Sequence, residues 1–138
     1  MAKLRPYLYC EDARTQAAYY AKVLGGDIRR IQTFGDMPGV RDEWKDRVMH
    51  LVLEAAGVTF YLADGELAER GTKGLDLVLE FPSDTAAKGA YEGLAAGGRI
   101  IMEFEKMFWG AMFGRVEDRF GVRWQIATDE RQSQGFGD

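Results

Sequence analysis

The chain has 138 residues, the usual size of one domain, and its 46% hydrophobic and 29% charged residues are typical of a globular protein. A net charge of −4, with dispersed basic residues, argues against a nucleic-acid partner. The apolar stretches are too short to cross a bilayer and no apolar signal region opens the chain, so we expect neither a membrane partner nor export. One cysteine, Cys10, excludes an internal disulfide framework and fits a reducing cytoplasm, the localisation that we expect.

The first half of the chain predicts a strand, a helix and three further strands. Residues 4–10 are apolar and aromatic, which suits a strand. Asp12 offers an N-cap for a helix over residues 13–24, and Gly25-Gly26 ends that helix because glycine tolerates left-handed geometry. The elements predicted after it are a strand at 27–34, a charged loop at 35–47, and a hairpin of strands at 48–54 and 58–63.

The second half predicts the same elements in the same order. A strand at 75–81 is followed by a helix that Ser83-Asp84 caps and that Gly97-Gly98 ends. The elements predicted after it are a strand at 99–104 and a hairpin of strands at 109–117 and 122–128, with its turn at 118–121. The final segment is polar and glycine-rich, and we expect it to be a mobile tail.

The two halves repeat one unit. An alignment that places Asp12 on Asp84 also places Tyr19 on Tyr91, and the final strands match with Leu62 on Ile126. We therefore expect one α+β domain over residues 1–138, built from tandem βαβββ modules whose sheets curve around a shared cleft. The predicted boundaries are module one at 3–64, a linker at 65–74, module two at 75–129 and a polar tail at 130–138.

A set of short motifs accompanies this order of elements. They are Pro6-Tyr7-Leu8, Gly35-Asp36-Met37-Pro38, Met49-His50, Leu62-Ala63-Asp64, Phe108-Trp109-Gly110, Phe113-Gly114 and Asp118-Arg119-Phe120-Gly121-Val122-Arg123-Trp124. Together they resemble the vicinal-oxygen-chelate superfamily of glyoxalases, bleomycin-resistance proteins and extradiol dioxygenases over roughly residues 3–128. The match is closer to its PhnB-like branch, often labelled 3-demethylubiquinone-9 3-methyltransferase-like. The resemblance implies a cavity for a small molecule and a homodimer.

Metal-dependent members of this superfamily place four ligands, usually His, Gln or Glu, on the first and last strands of each module. The resemblance puts these positions at Arg5, Tyr61, Leu77 and Gln125. Only Gln125 keeps a suitable donor, since a protonated arginine and a leucine cannot bind a cation and tyrosine is a poor ligand for most divalent ions. We therefore expect no metal there. No glycine-rich turn follows a long parallel strand, so we expect no cofactor either.

Six side chains are candidates for ligand binding: Arg5, Tyr7, His50, Tyr61, Trp109 and Gln125. His50, the only imidazole, is either a catalytic base or binding donor or a hydrogen-bonded structural residue. Arg5 pairs either with a carboxylate or phosphate of the ligand or with a nearby glutamate. The aromatic residues either line the cavity or fill it, and we place Tyr9 and Phe81 on the same sheet faces as the candidates.

Other reactive side chains have simpler interpretations. We expect Arg115, Glu117 and Asp118 to be charges of a hairpin, and Cys10 to fill the core. The favoured hypothesis is a protein that binds a small molecule in a metal-free cavity, whether it only sequesters that molecule or also transforms it. The alternative is a metal-dependent lyase, isomerase or dioxygenase whose relocated metal uses His50 with acids such as Glu54 or Glu117. A filled cavity in a dimerisation module is the third possibility.

Overall fold

Each half of the chain folds into one helix on one four-stranded sheet. The structure is a computed structural model that describes residues 1–129, so the predicted tail at 130–138 lies outside the described residues. The chain divides into two compact units, Met1–Gly71 (unit 1) and Thr72–Asp138 (unit 2). The boundary falls inside the predicted linker, and the prediction that both modules form one domain stays a prediction.

Unit 1 has the strand order β1-β4-β3-β2, with β1 and β4 parallel and the other pairs antiparallel. Its elements are β1 (Tyr7–Cys10), α1 (Ala13–Leu24), β2 (Gly26–Thr33), β3 (Val48–Ala55) and β4 (Val58–Asp64).

Unit 2 has the strand order β5-β8-β7-β6, and again only the pair formed by its first and last strands is parallel. Its elements are β5 (Leu77–Phe81), α2 (Asp84–Ala95), β6 (Arg99–Lys106), β7 (Met112–Glu117) and β8 (Arg123–Thr128). The topology of unit 1 is therefore repeated, which confirms the α+β class and the tandem βαβββ modules.

Three predicted strands begin later than expected. In β1 the first paired position is Tyr7, because Pro6 has no N–H to donate, although its carbonyl still accepts from the Tyr61 N–H at 2.9 Å. In β5 the strand begins at Leu77, since Leu75 closes a turn by donating to the Thr72 carbonyl at 2.7 Å. In β7 it begins at Met112, which leaves Trp109 in the preceding turn.

Both helices begin at the predicted kind of cap. The Asp12 carboxylate accepts from the Thr15 N–H at 3.1 Å, and the Ser83 hydroxyl accepts from the Ala86 N–H at 3.1 Å. Asp84 is therefore the first helical residue and not the cap. As a result, Asp12 corresponds to Ser83, and the predicted match of Asp12 with Asp84 is wrong by one position.

Strand pairing leads to the same corrected alignment. Leu8 pairs with Leu62 in unit 1, and Leu79 pairs with Ile126 in unit 2. Because Leu62 and Ile126 are equivalent positions of the final strands, their partners Leu8 and Leu79 are equivalent as well. The residue of unit 2 that matches Leu8 is therefore again one position earlier in the chain than the predicted alignment gives.

The aromatic residues of the helices follow this corrected alignment. Tyr91 corresponds to Tyr20, and not to Tyr19 as predicted, and both matched rings are buried. The predicted alignment applies only after the helices, because Ala96 adds one residue between α2 and the glycines that follow it.

The core of each unit lies between its helix and one face of its sheet. In unit 1 the fully buried side chains include Tyr20, Leu51, Phe60 and Leu62. Cys10 is 1% exposed, which confirms that it fills the core. At about 25 cal/mol per Å² of buried apolar surface, such side chains supply the main stabilisation of each unit.

Polar side chains hold the strand ends in place. The Asp64 carboxylate accepts from the Ala13 N–H at 2.7 Å and from the Val48 N–H at 2.8 Å, so the end of β4 is tied to the starts of α1 and β3. In unit 2 the Thr128 hydroxyl accepts from the Met112 N–H at 2.9 Å, which ties β8 to the start of β7 in the same way. The Leu62-Ala63-Asp64 motif is thus a feature of the fold.

Asp118 is another structural carboxylate. It is 3% exposed and accepts from the N–H groups of Phe120 and Val122 and from the Trp124 indole at 2.9 Å. It lies in the β7–β8 turn, as predicted, but it stabilises that turn from a buried position and does not act as a surface charge.

The loop between β2 and β3 is built around one aromatic residue. Short 3-10 turns occupy Phe34–Asp36 and Asp42–Trp44. The Trp44 ring lies edge-on to Phe34 at 5.7 Å and under the Arg47 guanidinium at 4.9 Å. Gly35 is required here because a Cβ would lie 2.8 Å from the Lys45 carbonyl oxygen.

No helix within residues 1–129 is long and apolar enough to span a bilayer.

Candidate functional site

The face of the unit 1 sheet opposite α1, here called open face 1, carries most of the candidate residues. Alternation along β1 buries Leu8 and Cys10 under the helix and turns Tyr7 and Tyr9 to the other side, where they are 40% and 41% exposed. A contiguous patch of exposed aromatic side chains, unlike a single one, is typical of a surface that binds a ligand or a partner.

Strand register brings three candidates together on this face. Tyr7 is directly opposite Tyr61 in the parallel β1–β4 pair. Tyr61 is opposite Val52 in the antiparallel β4–β3 pair, and His50 lies two positions before Val52 on the same face. Tyr7, His50 and Tyr61 are therefore neighbours in the fold, although the first of them is far from the other two in the chain.

The four rings of this patch form what we call the tyrosine–histidine cluster: Tyr7, Tyr9, His50 and Tyr61. The His50 ring centroid is 4.8 Å from that of Tyr61 and 5.6 Å from that of Tyr7. Tyr7 is in turn 5.2 Å from Tyr9 and 5.9 Å from Tyr61. The rings are tilted or edge-on to one another, as aromatic pairs prefer.

Gly65 permits this arrangement at the end of β4. A Cβ at Gly65 would lie 2.8 Å from the Tyr9 Cβ and 3.0 Å from a Tyr9 ring carbon. The backbone N–H of Gly65 also donates to the Cys10 carbonyl at 2.8 Å. The first residue of the predicted linker thus belongs to unit 1 and sets the space available to Tyr9.

One hydrogen bond joins the hydroxyl of Tyr7 to the imidazole of His50. The Tyr7 Oη is 3.1 Å from His50 Nδ1 and 3.4 Å from the Met49 carbonyl oxygen. Partial burial, with a smaller contribution from Tyr9, raises the pKa of Tyr7 above its ordinary value. Tyr7 therefore stays a protonated phenol, able to donate, throughout the neutral pH range.

Arg5 lies just before β1, where the alternation of the strand would turn it toward open face 1. Its side chain is exposed and forms no ion pair within the described part of the chain. The alternative prediction, a bridge to a nearby glutamate, is therefore not observed there. Glu54, a carboxylate of the same face, is paired instead with Arg29 at 2.9 Å.

In unit 2 the candidate Gln125 belongs to a charged network. Its side-chain amide donates to the Asp76 carboxylate at 3.0 Å, and the Arg115 guanidinium donates to both oxygens of the same carboxylate. The hydrogen bond from Arg115 is the main cause that holds the pKa of Asp76 below its ordinary value, against the opposing effect of burial. Asp76 is thus an ionised carboxylate that accepts hydrogen bonds from two side chains.

Asp76 was missed by sequence reasoning because of the one-residue error in alignment. Since Leu8 corresponds to Leu79, counting back along both strands places Arg5 on Asp76 and not on Leu77. Phe81 was misplaced as well: it pairs with Thr128 and shares the helix side of β5 with Leu79, whereas Gln125 is on the opposite face.

The corrected alignment replaces Leu77 with Asp76 among the metal positions that the resemblance implies. Arg5 in unit 1 is cationic, and the Asp76 carboxylate in unit 2 already pairs with Arg115, so neither side chain is suited to bind a divalent cation. Around His50 the neighbouring rings are tyrosines. Across residues 1–129 no three His, Cys, Asp or Glu side chains lie together in a way that could hold an ion.

Glu117, named with Arg115 as a hairpin charge, has a structural role. It accepts from Arg123 at 3.0 Å and from Arg99 at 3.4 Å, and the Arg123 hydrogen bond is the main cause that lowers the pKa of Glu117. Its two arginines lie on β8 and β6, so the carboxylate of β7 links three neighbouring strands.

Trp109 lies at a turn of unit 2. It lies in the turn between β6 and β7, which Gly110 closes with φ 99° and an N–H donated to the Met107 carbonyl. The ring is 48% exposed, 4.9 Å from Phe108 and 6.3 Å from Phe113. Trp109 is therefore an exposed aromatic residue of unit 2, and its role as a cap for a flat ligand stays a prediction.

Gly114 of the same motif packs in the core. A Cβ there would lie 2.6 Å from a ring carbon of Tyr91, whose hydroxyl donates to the Met102 carbonyl at 3.0 Å. The Phe113-Gly114 pair therefore serves the close approach of α2 to the sheet, as the glycine predicts.

Comparison with known proteins agrees with the repeated fold. The profile of the Glyoxalase/Bleomycin resistance protein/Dioxygenase superfamily matches residues 4–126. Protein YjdN of Escherichia coli (strain K12) is 30% identical over 145 aligned positions, covering 94% of this chain and 97% of its own.

Two solved structures are also similar. Protein PA1353 from Pseudomonas aeruginosa is 32% identical with a TM-score of 0.80, over 94% of this chain and 98% of its own. A Bacillus cereus protein described as a putative 3-demethylubiquinone-9 3-methyltransferase, PhnB protein, is 20% identical with a TM-score of 0.75, over 93% and 100%, which shows the shared fold. The chain belongs to the glyoxalase/bleomycin resistance protein/dioxygenase superfamily.

Proposed function

We propose that this protein binds a small organic molecule at open face 1, through the tyrosine–histidine cluster and without a metal ion. The observation that carries the proposal is the convergence of Tyr7, His50 and Tyr61, whose ring centroids are 4.8 Å to 5.9 Å apart, on a sheet face that no helix of unit 1 covers. An apolar surface with a few placed polar groups is the usual character of a ligand site.

The polar groups favour a ligand with an anionic oxygen. Arg5 is a cation without an ion-pair partner in the described chain, and the half-buried imidazole of His50 lies on the face toward which Arg5 would turn. The nearby carboxylate Glu54 is already neutralised by Arg29. A suitable ligand therefore has a planar apolar ring that contacts the tyrosine rings and a carboxylate or phosphate that Arg5 and His50 can bind.

The rival function, a metal-dependent lyase, isomerase or dioxygenase using His50, has less support. Glu54 would have to leave Arg29, and Glu117 would have to leave Arg99 and Arg123, before either could bind a cation. His50 itself is hydrogen-bonded to Tyr7. We therefore assign His50 to ligand binding.

We also propose a cytoplasmic homodimer. The reduced, buried Cys10 fits the cytoplasm. Large exposed apolar side chains such as Val78 and Phe108, which are 53% and 97% exposed, are typical of chains that associate. Light scattering on the eluted protein should give about twice the chain mass of 15.5 kDa, and a clean monomer would contradict this part of the proposal.

Equilibrium binding of three matched probes tests the ligand class. Benzoate and phenyl phosphate carry a ring and an anion, whereas benzylamine carries a similar ring and a cation. We expect at least one anion to bind, and benzylamine to bind at least tenfold more weakly. Equal affinity for benzylamine, or no measurable binding of either anion, would overturn the proposal.

Variants locate the site in the same assay. Arg5→Gln should weaken the bound anion about tenfold, the equivalent of about 1.4 kcal/mol, because one charge-assisted hydrogen bond is lost. The control Lys22→Gln removes the same charge from the exposed side of α1 and should leave affinity unchanged. Equal losses in both variants would show a non-specific effect of net charge.

A further inference from the structure

We infer that Tyr7 is a positioning residue that holds neutral His50 in the tautomer with its proton on Nε2, so that open face 1 presents an imidazole N–H donor to the ligand. The inference rests on the proposed function and adds the identity of the donor atom. It accounts for a hydrogen bond, 3.1 Å long, that ligand binding alone does not require.

The first step concerns which partner donates in the bond between Tyr7 and Nδ1. A phenol has one proton, and it has two acceptors within reach: His50 Nδ1 at 3.1 Å and the Met49 carbonyl oxygen at 3.4 Å. The shorter contact is the stronger hydrogen bond. In the alternative arrangement Nδ1–H would donate to Tyr7 and Tyr7 would donate to Met49, but at 3.4 Å that second bond is long and weak. We therefore adopt the arrangement in which Tyr7 donates to Nδ1, which then carries a lone pair and no proton.

The second step follows from the chemistry of neutral imidazole. One ring nitrogen carries the proton and the other accepts, so a hydrogen bond received at Nδ1 places the proton on Nε2. Nε2 has no hydrogen-bond partner in the part of the chain that the structure describes. Its N–H is therefore free to donate to a ligand.

The third step relates the tautomer to its surroundings. The Tyr61 ring, 4.8 Å from the imidazole, and the Tyr7 ring, 5.6 Å away, flank His50 and limit its rotation. A donor held by packing loses less entropy on binding than a freely rotating one. In the opposite tautomer Nε2 would be an acceptor, and it would repel the anionic oxygen that Arg5 attracts.

Nitrogen NMR reads the tautomer directly, because His50 is the only histidine in the chain and its signals need no assignment. Long-range proton–nitrogen correlation on free, ¹⁵N-labelled protein should be recorded about two pH units above the ordinary imidazole pKa of about 6.5. We expect Nδ1 to resonate as an unprotonated nitrogen and Nε2 as a protonated one. A protonated Nδ1, or two averaged signals, would overturn the inference.

Two conservative variants separate positioning from general structure. Tyr7→Phe removes the donor and should move the two nitrogen signals toward each other, since both tautomers become populated. Tyr9→Phe removes a hydroxyl from the same face but not the bond to His50, and should leave the signals in place. Unchanged signals in Tyr7→Phe would show that Tyr7 does not set the tautomer.

Binding gives a separate readout. If Tyr7→Phe leaves about half of the rings in the Nε2–H form, affinity for benzoate should fall about twofold, because only the competent fraction binds. A correct tautomer without binding of either benzoate or phenyl phosphate would contradict the proposed function and leave the inference about Tyr7 standing. Benzoate binding with the wrong tautomer would contradict the inference about Tyr7 and leave the proposed function standing.

Discussion

Asp76 precedes β5 and accepts hydrogen bonds from Arg115 and Gln125, so its carboxylate is stabilised in the ionised form. Its pKa is lowered in the folded protein, mainly by the Arg115 hydrogen bond. A lowered folded pKa means that the stabilisation is fully present above the unfolded pKa of about 3.9 and is lost as pH falls toward the folded value.

Replacement of Asp76 tests this linkage. Asp76→Asn should lower the free energy of unfolding at pH 7 by about 1–3 kcal/mol, since a part-buried, charge-assisted hydrogen bond is lost. The difference from wild type should shrink as pH falls below about 4, where the wild-type carboxylate loses its own contribution. Urea denaturation at several pH values measures it. A constant difference across the whole range would contradict the account.

The matched control is Asp27→Asn, an exposed carboxylate on β2. It removes the same charge without the Arg115–Gln125 partners and should change stability by less than about 0.5 kcal/mol. The comparison separates the local network from the change in net charge.

Sequence reasoning identified the residues of the cluster and misplaced part of unit 2. Tyr7, His50 and Tyr61 follow from strand alternation together with the quoted motifs. Asp76 could not be found in the same way, because the two halves share too few identical residues to show the extra Ala96 after α2. Pairing of the strands supplies that missing offset.

At the scale of elements, the helices and hairpins follow from capping and alternation, whereas the strand ends depend on contacts that no local pattern shows. Pro6 shortens β1, and a turn at Thr72 shortens β5. Thr72 is 8% exposed, and its hydroxyl accepts from the Arg123 N–H at 2.8 Å. Residues of the predicted linker thus complete strand ends in both units, Gly65 after β4 and Thr72 before β8.

The junction between β4 and the residues after it has little spare room. Gly65→Ala should destabilise the protein by about 1–3 kcal/mol, because the new methyl group would meet the Tyr9 side chain at 2.8 Å and force a shift. Chemical denaturation of the free protein measures the loss. No change in stability would mean that Tyr9 moves freely and that the cluster is not held in its described geometry.

We predict the opposite effect on stability for Gly89→Ala. Gly89 lies within α2, and a Cβ there would meet nothing within 4 Å. Alanine should stabilise the helix by about 0.5–1 kcal/mol, since it restricts the unfolded chain and has the higher helix propensity. Loss of stability in this variant would contradict the described position of α2.

At the scale of the whole molecule, membership of the superfamily and the duplicated βαβββ topology are established, and the ligand chemistry is argued from side chains. The net charge of −4 would oppose an anionic ligand if charge acted only at long range. Local groups determine which ligand charge is bound, because at physiological salt exposed charges are screened within about 8 Å. Arg5, in contrast, would contact the ligand.

The central claim is metal-free binding at the tyrosine–histidine cluster. NMR mapping of the bound anion, benzoate or phenyl phosphate, on protein dialysed against a chelator tests it most directly. We predict that binding persists after metal removal and that the largest shifts occur at the ring signals of His50, Tyr7 and Tyr61. Loss of binding that a divalent cation restores, or shifts confined to signals away from these rings, would contradict the account.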